Sequence, residues 1–507
     1  MADAPLSRVL DLRPVRTLQA YLDAGGGAGL EAAARLGPAA TIEELTASGL
    51  RGRGGAGFPT GTKWATVAAN ASPTNRATVV VNAAEGEPGS FKDRTLVGRN
   101  PYRILEGALI AARTVDAHRV IVALKASFTE ELARIRAAIA EVEAAGWADG
   151  VVLDVLEGPE EYLFGEESAL LEVLEGRPPF PRVAPPFRHG AEEVGIEDDG
   201  RARERQRAAR RWGVGAQPPR QHGEGDASAA EVQMAGATGT EAAPTLANNA
   251  ETLANVPGIL TNGPAWFREL GTAESPGTVV CTISGWVQRA GVGEIALGTT
   301  LRQAIVDIAG GPPPGNEVTA VLSGVSNPFL TADALDTPLT YEDMAAANSG
   351  LGTAGFIVFD DSVDLVAVAQ GVARFLAVES CGQCTPCKQD GLAIAAVLER
   401  FCASNATEHD VDELAAKVET VTDEARCYLA TQQQRVVNSL LAQFPEALSV
   451  HLEAAESRAE PVAPVLIAPL KTLEGGVATV DDAHAAKQPD WTTDDVDSGA
   501  TPAERLG

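Results

Sequence analysis

Residues 77–94 read ATVVVNAAEGEPGSFKDR. The first seven, Ala77 to Ala83, are a continuous run rich in β-branched side chains, which suits a strand buried on both faces of a parallel sheet. The run breaks into a Gly/Pro loop carrying Glu85 and Glu87, and a polar loop at the carboxyl end of such a strand is where open α/β sheets bind ligands. Downstream, a helical pattern over 101–115, a strand at 119–124, a helix at 129–145 and a strand at 151–156 continue the alternation. This βαβαβ order predicts an α/β domain, a parallel sheet covered by helices.

Upstream lies LRGRGGAGFPTGTKW, Leu50 to Trp64. Gly52, Gly54 and Gly57 fit G-x-G-x-x-G, but the dinucleotide fingerprint needs a strand before the glycines, and TIEELTASGL looks helical. Five glycines with Arg53 and Lys63 in twelve residues instead offer backbone N–H groups to a phosphate and two cations to neutralise it. Beyond the third strand, EEYLFGEESALLEVLEG (160–176) sets Glu166 and Glu167 at the start of an amphipathic helix, where they can serve a ligand or complement the helix dipole. Residues 188–243 hold a basic block, RARERQRAARR, amid sequence almost without large apolar residues, and are expected to be a mobile insertion. PTLANNAETLANVP then places Asn248, Asn249 and Thr252 at the start of a helix.

Thr278 to Gly324 follow a β-β-α-β pattern, a small α+β module expected to span 275–355, and GFIVFDD (355–361) reads as one more strand. From 362 to 455 apolar residues recur at three- and four-residue spacing in four segments, predicting a helical bundle. Its first connection is ESCGQCTPCKQDG, Glu379 to Gly391. Thiols at Cys381, Cys384 and Cys387, with two-residue spacers, can converge on one inorganic centre, and a fourth ligand comes from Cys402 or Cys427. A structural zinc site more often pairs two C-x-x-C units or adds histidine, and there is none between Asp364 and Ala406. Acidic, Ala/Pro/Thr-rich residues 456–507 are expected to be a disordered tail.

Composition narrows the function. The chain has 507 residues, 45% of them hydrophobic, enough for several cores. Its 40 basic and 69 acidic residues give a net charge of −29, which argues against nucleic acid or an anionic membrane as partner. Six cysteines, three of them in one motif, fit a reducing compartment rather than a disulfide framework. With no secretory signal and no long apolar run visible, the expected location is cytoplasmic, peripheral on a membrane complex and without direct membrane insertion.

Taken in order, GLRGRGGAGFPTGTKW, VNAAEGEPGSFKDR, YLFGEESALLEVLEG, NNAETLANVP and ESCGQCTPCK resemble the NADH-binding flavoprotein subunit of respiratory complex I, the F subunit. They are similar also to the diaphorase subunits of NAD-linked formate dehydrogenases and hydrogenases. The resemblance implies an FMN-binding α/β domain over 1–270, a β-grasp-like SLBB domain, and a four-helix bundle with one [4Fe–4S] cluster. Gly52, Arg53, Gly54, Gly55, Gly57 and Lys63 would hold FMN. Asn82, Glu85 and Glu87 would line the flavin and nicotinamide, with both glutamates in catalytic positions, and Asn248, Asn249 and Thr252 would complete the flavin site. Tyr162, Gly165, Glu166 and Glu167 would form the NADH side, and Phe58 and Phe187 would stack on the dinucleotide. Cys381, Cys384, Cys387 and Cys427 would bind the cluster, leaving Cys402 and Cys281 as buried thiols.

The resemblance further implies hydride transfer from NADH to FMN, then single electrons to the cluster and on to a thioredoxin-like [2Fe–2S] subunit and a larger iron–sulfur or catalytic subunit. Two glutamates near the adenosine ribose would disfavour a 2′-phosphate, predicting NADH over NADPH. Ala84, where the family usually has Asp, and Thr66, where an aromatic is frequent, predict weaker dinucleotide binding. The competing readings are a non-catalytic scaffold that keeps the fold and a zinc-stabilised interaction module.

Overall fold

A computed structural model describes residues 6–182 and 244–507. The insertion expected at 188–243, and Phe187, lie outside the described residues.

The expected strands form at Ala77–Asn82 (β1), Ala117–Lys125 (β2) and Val152–Gly158 (β3). They pair in parallel with each other and with Thr245–Asn249 (β4), in the order β3-β2-β1-β4. β1 is buried on both sides, as its unbroken valine run requires. Val79 and Val81 join the main core with Leu105, Leu109 and Ile135, while Val80 packs with Ala123, Phe164 and Leu170 on the opposite face. The helix Pro101–Thr114 starts where Pro101 presets the first turn and the Asn100 side chain accepts from the Arg103 N–H.

β4 corrects the reading of Asn248 and Asn249 as the start of a helix. Five residues ending in two asparagines carry little strand signal, but alignment with Thr78–Asn82 gives each of the five residues a parallel partner on β1. The helix begins one residue later, at Ala250, with Asn249 as its cap.

A second sheet of five strands runs β6-β5-β9-β7-β8: Thr278–Gly285 (β5), Gly291–Ala296 (β6), Val318–Ser323 (β7), Leu330–Thr331 (β8) and Gly355–Asp360 (β9). β9 lies at its centre, parallel to β5 and antiparallel to β7. The boundary expected at 355 therefore cuts through this unit, which ends after Asp360. The helix Leu301–Ala309 packs Leu301 and Ile305 against Val279, Ile283 and Phe356.

Helices follow at Leu365–Glu379, Thr385–Cys402, Glu408–Thr420 and Leu429–Gln443, with a fifth at Pro445–Ser457. The first is apolar on nearly every side and is buried accordingly. Residues 456–507 are not the disordered tail expected from their acidity. Leu470–Glu474 (β10) and Val477–Val480 (β11) form a hairpin, and a helix spans Pro502–Leu506. A few well-spaced anchors, Ile467, Ala468, His484 and Trp491, are buried there, and an average over the window conceals them.

Candidate active site

β1 and β4 end side by side at Asn82 and Asn249. β1 leads to β2 on one side while β4 lies on the other, so a crevice opens beyond their carboxyl ends at the point where strand order reverses. The glycine-rich loop covers it. This loop follows a helix, Ala28–Ser48, not a strand, and is closed by bonds from Gly52 N to Phe58 O (2.8 Å) and from Thr60 N to Leu50 O (2.9 Å).

A side chain at Gly54 would bring its Cβ to 3.2 Å from Asn249 Cβ, and one at Gly165 to 3.3 Å from the Ala84 carbonyl. Neither glycine needs a left-handed backbone, so what both allow is close approach of their loops to Asn249 and to Ala84 at the strand ends. Asn82 accepts from Ala84 N (3.2 Å) and donates to Gly165 O (2.9 Å), fixing the two walls together. Lys63 pairs with Glu167 at 2.8 Å across the mouth, and Phe58 stands half-exposed at the rim. The structure thus brings Gly54, Lys63, Asn82, Gly165, Glu167 and Asn249 together at the carboxyl ends of β1 and β4. That cradle, with a cation at its edge, fits a planar cofactor carrying a phosphate.

Several expected ligand contacts are corrected. The Arg53 guanidinium, expected to neutralise phosphate, donates to Thr278 O (2.9 Å), Arg51 O (3.0 Å) and Tyr341 Oη (3.1 Å), 3.9 Å from Glu251. It is a buried tie between the loop and the second sheet. Thr252 accepts from Arg53 N (2.8 Å) and Asn248 from Trp64 Nε1 (2.8 Å), so both brace the loop from behind.

Glu85 is not free to act on a substrate. Its oxygens accept from Ser90 Oγ (2.6 Å), Lys92 N (2.8 Å), Asp93 N (3.3 Å) and Arg94 N (3.1 Å), capping the helix Lys92–Arg99. Glu166 likewise caps Glu167–Leu174 through Ala169 N (2.8 Å). Helices that start directly after ligand-bearing loops need acceptors for their first N–H groups, and these carboxylates fill that need. Glu87 accepts from Tyr162 Oη (2.5 Å), Val325 N (2.8 Å) and Ser326 Oγ (2.7 Å). Burial pushes both the Glu85 and Glu87 carboxyls above their usual range, with the Asp93 charge adding to the effect on Glu85.

The second centre lies on the other side of residues 162–165. Cys381, Cys384, Cys387 and Cys427 line a single small hollow, together with Leu163, Pro181, Ser380, Leu429 and Ala430. Cys384 is the N-cap of the helix Thr385–Cys402, and Pro386 and Cys387 lie in its first turn. Cys402 ends that helix, fifteen residues past Cys387 and so about 22 Å along the axis; burial pushes its thiol up to about 12. Cys281 is fully buried in β5.

Burial pushes Cys381, Cys387 (to about 11) and Cys427 upward, and the neighbouring sulfurs reinforce the shift. Four cysteine sulfurs lining one hollow form a donor set suited to iron. Among the described residues no three His, Cys, Asp or Glu side chains close on a single ion. Sulfurs spread around a hollow instead fit a cluster, in which each binds a different iron.

Two family models match: the Nuo51 FMN-binding domain over residues 45–197, and the NADH-ubiquinone oxidoreductase-F iron-sulfur binding region over 367–451. The F 2 subunit of NADH-quinone oxidoreductase in Rhizobium meliloti (strain 1021) is 32% identical over 464 residues, covering 89% of this chain and 98% of that protein. The chain belongs to the family of NADH-quinone oxidoreductase F subunits. NADP-reducing hydrogenase subunit HndC of Solidesulfovibrio fructosivorans is 31% identical, over 85% of this chain and 80% of its own length. The crystal structure of an NAD+-reducing [NiFe]-hydrogenase in the H2-reduced state superposes with a TM-score of 0.68 at 32% identity, covering 86% of this chain and 66% of that one.

In this F-subunit chain three residues do work that the sequence did not announce. Tyr341, from the second unit, donates to Gly52 O (2.9 Å) and lies against Gly57. Lys92 joins Asp93 (2.8 Å), Glu251 (2.9 Å) and Asn249 (3.1 Å) beneath the crevice; burial would lower it, but these carboxylates and Glu85 hold it raised. Glu379, just before the cysteines, accepts from Tyr162 N (3.0 Å), His484 Nε2 (2.8 Å) and Lys487 Nζ (2.7 Å). Only Glu379 had a local signal, its place beside the motif.

Proposed function

We propose that the crevice takes FMN and NADH, that the four cysteines hold one [4Fe–4S] cluster, and that electrons from NADH leave through that cluster to a partner subunit. As a member of its family the chain is an NADH dehydrogenase, an oxidoreductase subunit with an FMN-binding domain and an iron–sulfur region. The observation that carries the proposal is the shared wall. Leu163 lines the cysteine hollow while Gly165, two residues on in the same 3-10 turn Tyr162–Gly165, meets the Asn82 side chain at the crevice, so a single short turn separates the two linings.

When bound, FMN supplies the exchange between a two-electron hydride and single electrons, and the cluster supplies one-electron carriage. The chain's own contribution is placement. Gly54 and Gly165 let their loops approach the strand ends closely, Asn82 and Asn249 fix those ends beneath the ring, and Lys63 offers charge to a phosphate. Phe58 offers an exposed face to an adenine. Glu167, paired with Lys63, is set to accept from ribose hydroxyls and to repel a 2′-phosphate. Tyr162 and Glu87 tie this wall to the second sheet, which we read as a β-grasp-like SLBB unit, and the helices as the family's cluster-bearing bundle.

We take NADH-quinone oxidoreductase as the parent complex, with a thioredoxin-like [2Fe–2S] subunit beside this one and a peripheral cytoplasmic location. A hydrogenase diaphorase is the second reading, favoured by the matches to HndC and to the NAD+-reducing hydrogenase. Among the described residues no helix is long and apolar enough to cross a membrane. The test is anaerobic NADH-driven ferricyanide reduction by chain reconstituted with FMN, iron and sulfide. A chain that binds both cofactors yet does not oxidise NADH overturns the proposal.

A further inference from the structure

The matched iron–sulfur region ends at residue 451, yet the segment after it returns to the cysteine turn. Val465 N donates to Ala367 O (3.2 Å), and a Cβ at Gly371 would lie 1.9 Å from Val465 O, so the chain lies directly on the first bundle helix. Beyond the hairpin it contacts Val378, Glu379, Cys381 and Gly382. Trp491 is buried, donates to Val378 O (2.9 Å) and packs 5.8 Å from Phe180, centroid to centroid. Lys388 bridges Ala377 O, Val378 O and Ser380 O to Pro489 O. Ala503 N donates to Cys381 O (2.9 Å), and Thr501 covers Gly382 so closely that a Cβ there would meet it at 2.3 Å. Arg505 closes the segment on itself through Asp490 O (3.0 Å).

We propose that residues 484–507 are a strap that positions the Cys381–Gly382 turn and shields that side of the cluster from water and small oxidants. Cys384 and Cys427, both partly exposed, are left as the side from which electrons depart. The proposal rests on the assignment of the four cysteines as cluster ligands. The strap acts through backbone contacts, so it needs no ligating side chain of its own; Ala503 is a positioning residue, and the shell around a metal site controls solvent access and potential.

The test uses the full chain reconstituted with FMN, iron and sulfide, beside a chain lacking residues 498–507 and the variant Ala503→Pro. Proline is tolerated in the first turn of a helix, and at 503 it removes the N–H donor and sets its ring carbon against Cys381 O, so this variant breaks the strap's contact with the cysteine turn. Iron content at assembly and FMN retention are expected to match the native chain. Loss of the visible iron–sulfur absorbance in air is expected to be about tenfold faster without 498–507, the low end for outer-shell losses, and faster in Ala503→Pro. The cluster midpoint potential should shift in both. Native bleaching rates and an unmoved potential in Ala503→Pro that assembles with native iron content overturn the strap, as does the same result in the truncated chain. A native chain whose iron content is indifferent to Cys427→Ala overturns the ligand assignment and the strap with it.

Discussion

Gly57→Ala tests whether the glycine loop is a cofactor cradle. Gly57 sits at φ +64°, and a Cβ there would lie 2.4 Å from Cε1 and 2.7 Å from Cδ1 of Tyr341. The left-handed backbone costs an alanine about 1–2 kcal/mol, and forcing a methyl into the packed ring adds about 1–3 kcal/mol. Only strain that the empty loop can escape appears as lost affinity, so the low end, about 2 kcal/mol or roughly 30-fold weaker FMN binding, is expected. Quenching of FMN fluorescence on titration into cofactor-free chain measures it, with thermal unfolding run in parallel. Tyr341→Ser opens the space, so the double variant should lose less than the sum of the two singles. A lowered melting temperature with unchanged FMN affinity would refute the reasoning: Gly57 would then serve the junction with Tyr341 and not the cofactor.

Glu251→Ala leaves Lys92 and Arg53 buried with one carboxylate fewer and should cost about 3–5 kcal/mol in denaturant unfolding, while Glu251→Gln should cost clearly less. Cys427→Ala should lower iron per chain, whereas Cys402→Ala should leave it at the native level by metal analysis. Glu167→Gln should narrow the NADH over NADPH preference in kcat/KM; an unchanged ratio removes Glu167 from the ribose site. His451 bonds Asp364 at 2.8 Å, a contact that raises the imidazole, while Asp364, which burial alone would raise, is held low by His451 and two backbone N–H groups. The imidazole's share is full below its unfolded value near 6.5 and fades as pH climbs through the raised folded value. The carboxylate's share is present above its own unfolded value and fades in acid. The melting-temperature gap between native chain and His451→Gln should therefore be larger at pH 6 than at pH 8.5.

What was legible in the sequence follows the range of each signal. The valine run of β1 and the helices after it announce themselves within a dozen residues, because burial on both faces of a sheet, or on one stripe of a helix, imposes a local period. Three of the four thiols were visible by spacing, since one turn carries them. β4 was not, because its strand character comes from pairing with β1, over 160 residues away in sequence. The carboxylates misled for a related reason: a glutamate next to a ligand loop reads as chemistry, yet Glu85 and Glu166 are consumed by the helix ends that the same loops create. Arg53 fails similarly, its five donors being claimed by backbone and by Tyr341, 288 residues on. The tail was misread because composition averages over a window, whereas Trp491 and Ile467 act as single anchors.

These long-range contacts converge on residues 162–165. Tyr162 Oη donates to Glu87 at the crevice and accepts from Gln432 Nε2 (2.9 Å) on the helix that follows Cys427, and its N–H reaches Glu379 beside Cys381. Ser326 of the second unit bonds both Glu87 and Gln432. One short segment is thus gripped by the sheet, by the second unit and by the helices. A rotation of any unit against the others would have to break these partly buried hydrogen bonds, worth about 0.5–1.5 kcal/mol each between neutral groups and more where Glu87 or Glu379 accepts. The separation between crevice and hollow is therefore fixed by the same bonds that join the units. A chain made of the first unit alone would lose Val325, Ser326, Gln432 and Glu379 from this wall, and with them the placement of Tyr162 on which both linings depend.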